Sequence, residues 1–341
     1  MVIAQDLREE RAALPWVEKY RPCCLEEVVS HGGTISTLRK FLAEGKLPHL
    51  FFYGPPGTGK TSMANALAGH LHGSQWRSSG NVLELNASDD RGIDVVREQI
   101  KTFASSGVFV QNTSANPKLV ILDEADAMTS AAQNALRRII EKYVQRVRFM
   151  LIGNYAGQII PALQSRCTKF RFVPLDVASM REKLEHVIAQ EHLNVSQEAR
   201  EALLALAEGD MRKVLNWLQS AASSKSSSEA IVAKDIYAVS AAPEPEDLEE
   251  FWKTACQEDI GDAFGKLRAL QVSKGIANAD LIRYFTRRLM ECGSPASLVL
   301  ALPELAQVER RVSSGSNDST QLASILGIVT IGIKAIAATG K

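Results

Sequence analysis

Gly54-Pro55-Pro56-Gly57-Thr58-Gly59-Lys60-Thr61 reads G-x-x-x-x-G-K-T, the Walker A pattern. Gly54, Gly57 and Gly59 can take positive φ and let backbone N–H groups approach a ligand closely. Those N–H groups, with the start of the next helix, make a site for phosphate. Lys60 is placed to reach the β- and γ-phosphates, and the Thr61 hydroxyl to ligate Mg²⁺. Ser62 opens the helix-forming stretch that follows. A second group of chemical residues closes the run Leu119-Val-Ile-Leu-Asp-Glu-Ala-Asp126. An unbroken apolar strand ending in acids is what a buried parallel strand does at its carboxyl end, where ligands bind. Asp123 is placed to hold Mg²⁺, through water, and Glu124 to polarise an attacking water. The plainer reading is two solvated surface carboxylates, which the neighbouring apolar run argues against.

Three further residues each carry two readings. Asn154, after the strand Phe149-Met-Leu-Ile-Gly153, is a candidate contact for water or a γ-phosphate; a lone Asn is more often a turn residue. Arg166 is either a surface charge or an arginine finger for a transferred phosphoryl group. Pro15-Trp-Val-Glu-Lys-Tyr-Arg-Pro22 is either an arm packed on the core or a lid over a planar base, with Val17 and Arg21 beside it.

Positioning these residues takes alternating strands and helices. Leu50–Tyr53 reads as a strand, Ser62–Leu71 as a helix and Val82–Asn86 as an alternating strand. A helix follows from Val95, carrying Arg97 and Lys101. Thr129 or Ser130 caps another, whose core face is Ala132, Leu136, Ile139, Ile140 and Tyr143. A last strand is expected over Phe170–Val173. This is a parallel α/β domain. From Pro174 only helical patterns remain. Arg212 falls in the first turn of a helix that opens at Gly209-Asp210, a Ser-rich loop spans 222–229, and Pro243-Glu-Pro245 marks a linker. Ser105 to Pro117 reads as a connector with an apolar island, Val108-Phe-Val110, that serves either the core or a partner contact.

Composition sets limits. The 341 residues suggest two or three domains, and 45% apolar residues suffice for buried cores. Lys and Arg total 39 against 39 Asp and Glu, which does not indicate a strongly basic, self-sufficient nucleic-acid binder. Five scattered cysteines without a C-x-x-C pair suit a reducing compartment and disfavour zinc. No secretory leader is expected at residues 1–11 and no membrane span anywhere.

With these residues named, the chain resembles an AAA+ ATPase of the clamp-loader family, and within it the small subunits of eukaryotic replication factor C. The markers are Trp16–Pro22, Gly54–Thr61, Asn86-Ala-Ser-Asp-Asp-Arg-Gly-Ile93, Ile121–Asp126, Ser165-Arg-Cys167 and Gly209-Asp-Met-Arg212. Ala125–Thr129 and Ala131–Ala135 are most similar to the branch numbered 3 in fungi and 5 in animals. The resemblance covers nearly the whole length. It implies an AAA+ P-loop ATPase domain at 1–174, a small helical lid at 175–241 and an all-helical collar at 242–341. It implies ATP and Mg²⁺ as cofactors, with Val17, Arg21, Gly54–Ser62, Asn154 (sensor 1) and Arg212 (sensor 2) around the nucleotide. Lys60, Asp123 and Glu124 would act on this chain's own ATP and Arg166 on a neighbour's. Arg91, Arg97 and Lys101 would follow the DNA backbone. The implied partners are the other replication factor C subunits in a hetero-pentamer, the PCNA sliding clamp and primer–template DNA, in the nucleus and away from membranes. The loop 105–116 would lie near the clamp. Gly153 departs from the family pattern, which commonly has a larger residue there. A nucleotide-binding subunit that turns over little, and a different AAA+ remodeller such as a branch-migration motor, are the rival readings; Ser165-Arg-Cys167 and the helical C-terminal part disfavour the latter.

Overall fold

The computed structural model describes residues 14–73, 75–88, 93–105, 116–225, 229–257, 260–292 and 295–339. These form two compact units that divide between residues 231 and 232. The division falls ahead of Pro243-Glu-Pro245, and residues 175–231 group with the strands rather than apart from them. Among the described residues no helix is long and apolar enough to cross a membrane.

The first unit opens with a short helix α1 (Trp16–Lys19) and α2 (Gly32–Ala43). Strand β1 (Leu50–Tyr53) leads through the Gly-rich loop into α3 (Lys60–His72). Then follow β2 (Val82–Asn86), α4 (Ile93–Ser105), β3 (Lys118–Asp123), α5 (Ser130–Tyr143), β4 (Val147–Gly153), α6 (Pro161–Gln164) and β5 (Thr168–Arg171). The sheet is wholly parallel, in the order β2-β3-β4-β1-β5. Strand periodicity sorts the apolar runs onto its two faces. Leu50, Phe52, Leu119, Ile121, Met150 and Ile152 pack with Leu38 of α2 and Met63 and Leu67 of α3. Phe51, Val120, Leu122, Phe149 and Leu151 pack with Ile100 of α4 and Leu136 and Ile140 of α5. A sheet buried on both faces explains why its strands read as unbroken apolar runs.

Two boundaries differ from expectation. The helix after the Gly-rich loop starts at Lys60, because Gly59, at φ 93°, serves as its N-cap residue. The last strand is Thr168–Arg171 rather than Phe170–Val173. Phe172 still donates its N–H to Tyr53 O at 2.7 Å and is fully buried, but it turns away toward Gly54. Thr129 is the N-cap of α5, its hydroxyl accepting from Ala132 N.

Three helices complete the unit: α7 (Val177–Gln190), α8 (Gln197–Ala207) and α9 (Met211–Ser223). Each has an oxygen cap, from Asp176, Ser196 and Asp210. Their apolar stripes, among them Leu184, Val187, Leu203, Val214 and Leu218, are buried.

The second unit is helical: α10 (Ala233–Ser240), α11 (Pro245–Gln257), α12 (Ile260–Lys274), α13 (Asn278–Cys292), α14 (Pro295–Ser313) and α15 (Asp318–Thr339). Phe251, Leu267, Phe285, Val308, Leu322, Ile325 and Val329 form its core. The apolar stretch from Ala323 is a helix with one buried stripe; Ile331 on another face is 59% exposed.

Candidate functional site

The carboxyl ends of the parallel strands gather the chemical residues. Tyr53 pairs with Gly153 and Asn86 with Asp123, so the Gly-rich loop, Asp123 and Asn154 emerge at one edge. The loop's glycines have φ of 145° at Gly54, 71° at Gly57 and 93° at Gly59. Gly54 also has no room for a side chain, since a Cβ would stand 2.0 Å from Phe172 O.

Lys60 and Thr61, at the start of α3, are both buried. Lys60 Nζ donates to Gly54 O at 2.8 Å, Pro55 O at 2.7 Å and Asn154 Oδ1 at 2.9 Å. Burial lowers its pKa from 10.5 to about 8, helped by the nearby Arg212 guanidinium and opposed by Asp123, Asp126 and Asp210. A compact cation held by neutral oxygens, with donors it can exchange for phosphate oxygens, suits a polyphosphate. Thr61 Oγ1 donates to Asp123 Oδ2 at 2.8 Å. Asp123 Oδ1 accepts the Glu124 N–H at 2.9 Å. Glu124 sits at φ 52°, in the left-handed region, and is exposed. Among the described residues its carboxylate has no hydrogen-bond partner.

A hydroxyl and a carboxylate already in contact are hard oxygen donors of the kind Mg²⁺ takes when nucleotide phosphates complete its shell. The described residues hold no group of three or more His, Cys, Asp or Glu that could cage a metal alone. Thr61 and Asp123 therefore fit Mg²⁺ in that mode.

A cleft lies beside the loop. Val17, Arg21, Gly57, Thr58, Gly59, Thr61, Ser62 and Arg212 line it, with Met211 and Leu215 of α9 and Lys183 of α7. Gly54, Pro55 and Asn154 line a more open hollow on the other side of the loop, with Tyr155 and Arg171. Pro56 is exposed at the tip.

Arg166 stands apart from these groups. It ion-pairs with Glu141 of α5 and donates to Ala162 O at 2.6 Å, while Arg137 Nε lies 3.7 Å from the same Glu141. Lys101 is exposed on α4. Arg97 lies on the same helix. Arg91, the apolar island 108–110 and most of the loop 105–116 lie outside the described residues.

Several residues that sequence reasoning passed over hold the site in place. Asp126 Oδ2 accepts the backbone N–H of Asn154 at 2.9 Å and of Tyr155 at 3.0 Å. This accounts for Gly153, where a Cβ would come 3.0 Å from Asp126 Oδ1. His31 Nε2 lies 3.2 Å from Thr58 O, and its ring packs on Phe172 with centroids 4.6 Å apart. Burial lowers the His31 pKa against the Thr58 bond and Asp176, which raise it. Asp210, the cap of α9, accepts from Arg212 N and Lys213 N and touches Gly57. Asp126 carries a detectable signal, as the last acid of a run whose first two were assigned; Asp210 is legible as a cap but not as a neighbour of Gly57, and His31 carries no signal.

Comparison with known proteins agrees with this geometry. Residues 50–175 match the family "ATPase family associated with various cellular activities (AAA)", and residues 243–327 match "Replication factor C C-terminal domain". The chain is 48% identical to replication factor C subunit 3 of Saccharomyces cerevisiae, over 94% of each chain. It is 46% identical to subunit 3 of Blastobotrys adeninivorans, over 95% of each. Against replication factor C subunit 5 of Homo sapiens the identity is 44%, covering 92% of this chain and 90% of that one. A solved structure of a RuvB variant from Thermotoga maritima shares the fold, with a TM-score of 0.51 over 75% of this chain and 86% of that one, at 16% identity.

Proposed function

This chain belongs to the replication factor C small-subunit family, and from that premise we propose how its own residues carry the ATPase cycle of a clamp-loader subunit. The observation that carries the reading is the joining of three separate segments at one point. Lys60 reaches Asn154 across the sheet edge, and Thr61 reaches Asp123.

ATP lies along the Gly-rich loop, its base in the cleft beside Val17 and Arg21 and its phosphates toward Lys60. Loop N–H groups and the start of α3 hold the phosphates. Lys60 exchanges its carbonyl partners for β- and γ-oxygens. Thr61 and Asp123 would hold Mg²⁺, Asp123 through water, which supplies neutralisation of the charge on those oxygens. Glu124, whose carboxylate is unpaired among the described residues, takes the proton of the attacking water. Asn154, fixed by Asp126, orients that water or the γ-phosphate. Arg212 senses the nucleotide from α9. Arg166 leaves Glu141 to complete a neighbouring subunit's site.

The family resemblance supports the remaining roles in this reading. Residues 242–341 form the collar of a hetero-pentamer with other replication factor C subunits, and 175–241 the lid over the ATPase domain at 1–174. Lys101 and Arg97, with Arg91, follow the phosphate backbone of primer–template DNA, a contact that carries no sequence information. The clamp opened and loaded is PCNA, and the compartment is the nucleus. The test is Glu124→Gln in the assembled complex. It should retain ATP with near-normal affinity while that site's turnover falls by at least about 10²-fold, the contribution typical of a positioned base. Unchanged turnover at that site contradicts the assignment.

A further inference from the structure

The arm before the first strand is tied to the helices after the last one. Glu191 follows α7 as its C-cap residue. Its carboxylate accepts from Lys19 Nζ at 2.5 Å and also from the Tyr20 hydroxyl. The Tyr20 ring meets the His186 ring of α7 edge to face, centroids 6.3 Å apart. Two helices further on, Gln219 Oε1 of α9 accepts the Trp16 N–H at 2.9 Å. So residues 16–20 bond to α7 and α9. By Cys23 the chain has reached α3, its carbonyl lying 3.2 Å from the position of a Cβ on Gly69. Within this arm, Val17, Arg21 and Pro22 face the cleft, opposite Gly57, Thr58, Gly59, Thr61 and Ser62.

The bonds at Glu191 differ from ordinary surface pairs. The side chains of Lys19 and Glu191 are only 26% and 18% exposed. Burial works to raise the Glu191 carboxyl's pKa, yet the bonds from Lys19 and Tyr20 leave it below the ordinary value. Burial and the Glu191 bond both raise the Tyr20 pKa. Partly desolvated, charge-assisted bonds are stronger than exposed ones, and removing a shared acceptor strands two donors at once.

We propose that Glu191 latches the arm, residues 16–22, to the end of α7, beside the bond from Trp16 to Gln219 of α9, so that both walls of the base cleft open and close as one piece and retain the nucleotide. This rests on the ATP reading above. Glu191 does not line the cleft and is a positioning residue, not a nucleotide contact.

The experiment compares the full-length wild-type chain with Glu191→Ala and Glu191→Gln. Backbone amide exchange of 16–22 is followed without nucleotide, and release of a fluorescent ATP analogue is followed after loading with Mg²⁺. In Glu191→Ala, exchange of the arm should rise and release should quicken about tenfold, the loss of one charge-assisted bond. Glu191→Gln keeps an acceptor for Tyr20 and should fall between the two. Thermal unfolding separates a general loss of fold from a local release, which leaves exchange of β1, β3 and β4 unchanged. Unaltered exchange at 16–22 overturns the latch. Faster exchange with unaltered release overturns its role in retaining nucleotide. A wild-type chain that retains no analogue overturns the ATP reading and the retention claim together, while the exchange data still decide whether Glu191 fastens the arm.

Discussion

Gly57 of the phosphate loop lies directly against Asp210, the residue that caps α9. A Cβ on Gly57 would stand 1.7 Å from Asp210 Oδ1. Met211 N is also within 3.4 Å of Gly57 O. The Gly-rich loop and the helix that carries Arg212 therefore meet at one glycine.

Gly57→Ala should separate them. The position is at φ 71°, which costs an L-residue ~1–3 kcal/mol, and the methyl has nowhere to go while Asp210 keeps its place. The first thermal transition should fall by about 4 °C or more, and nucleotide affinity with it. Asp210→Ala alone loses a cap, ~1 kcal/mol. The double variant should be less impaired than the sum of the two, because removing the carboxylate removes the clash. Additive losses in unfolding and binding assays would show that the contact is not what excludes a side chain.

Lys60 gives a pH dependence with two opposite signs. Its pKa is about 8 in the folded chain against an ordinary 10.5. Between those values the unfolded chain binds more protons, so folding stability from this group rises with pH across roughly 8 to 10.5. Phosphate binding needs the charged form. Affinity should therefore fall as pH passes 8, and binding at pH 8.5 should take up a proton. Calorimetry of ATP binding in buffers of different ionisation enthalpy reads this directly. Release of protons on binding contradicts the assignment of Lys60 as a phosphate contact.

Asp126 fixes Asn154 through two backbone N–H groups. Asp126→Ala should leave those donors unpaired and let Asn154 drift from Lys60. We expect kcat to fall about tenfold or more, with a smaller change in KM, since the loss touches orientation more than binding. Asp126→Asn, which keeps one acceptor oxygen, should recover part of it. Equal kcat in all three proteins would remove Asn154 from the reaction.

Arg166→Ala should slow the adjacent subunit's site, not this one, by roughly 10³-fold or more if it acts as arginine fingers do. Site-specific turnover in a complex where only one neighbour can hydrolyse measures it. The ion pair to Glu141 keeps the guanidinium ordered on its own chain, so the same substitution should leave this chain's nucleotide affinity unchanged.

The phosphate loop, Asp123 and Glu124 were legible because their chemistry is written in contiguous spacing. The sheet was legible because strands buried on both faces leave apolar runs of the right length. What could not be read lies in pairs far apart along the chain. Trp16 and Gln219 are 203 residues apart, and Lys19 and Glu191 are 172 apart. Nothing at Glu191 itself distinguishes it from any solvated acid at a helix end. Asp210 could be read as a cap from its position before Met211, but its contact with Gly57 depends on how α9 meets the loop. The helix start at Lys60 escaped notice because a left-handed Gly59 can close a helix N-terminus as well as a loop.

The central claim is that this chain hydrolyses ATP at a site completed by its neighbours. The most direct test is ATP turnover by the purified chain alone, then assembled with replication factor C partner subunits, each with and without PCNA and primed DNA. Low turnover alone that rises strongly only with partners, clamp and primer is the predicted result. Equal turnover in every mixture would mean a self-contained ATPase and would contradict the shared-site account, beginning with the role of Arg166.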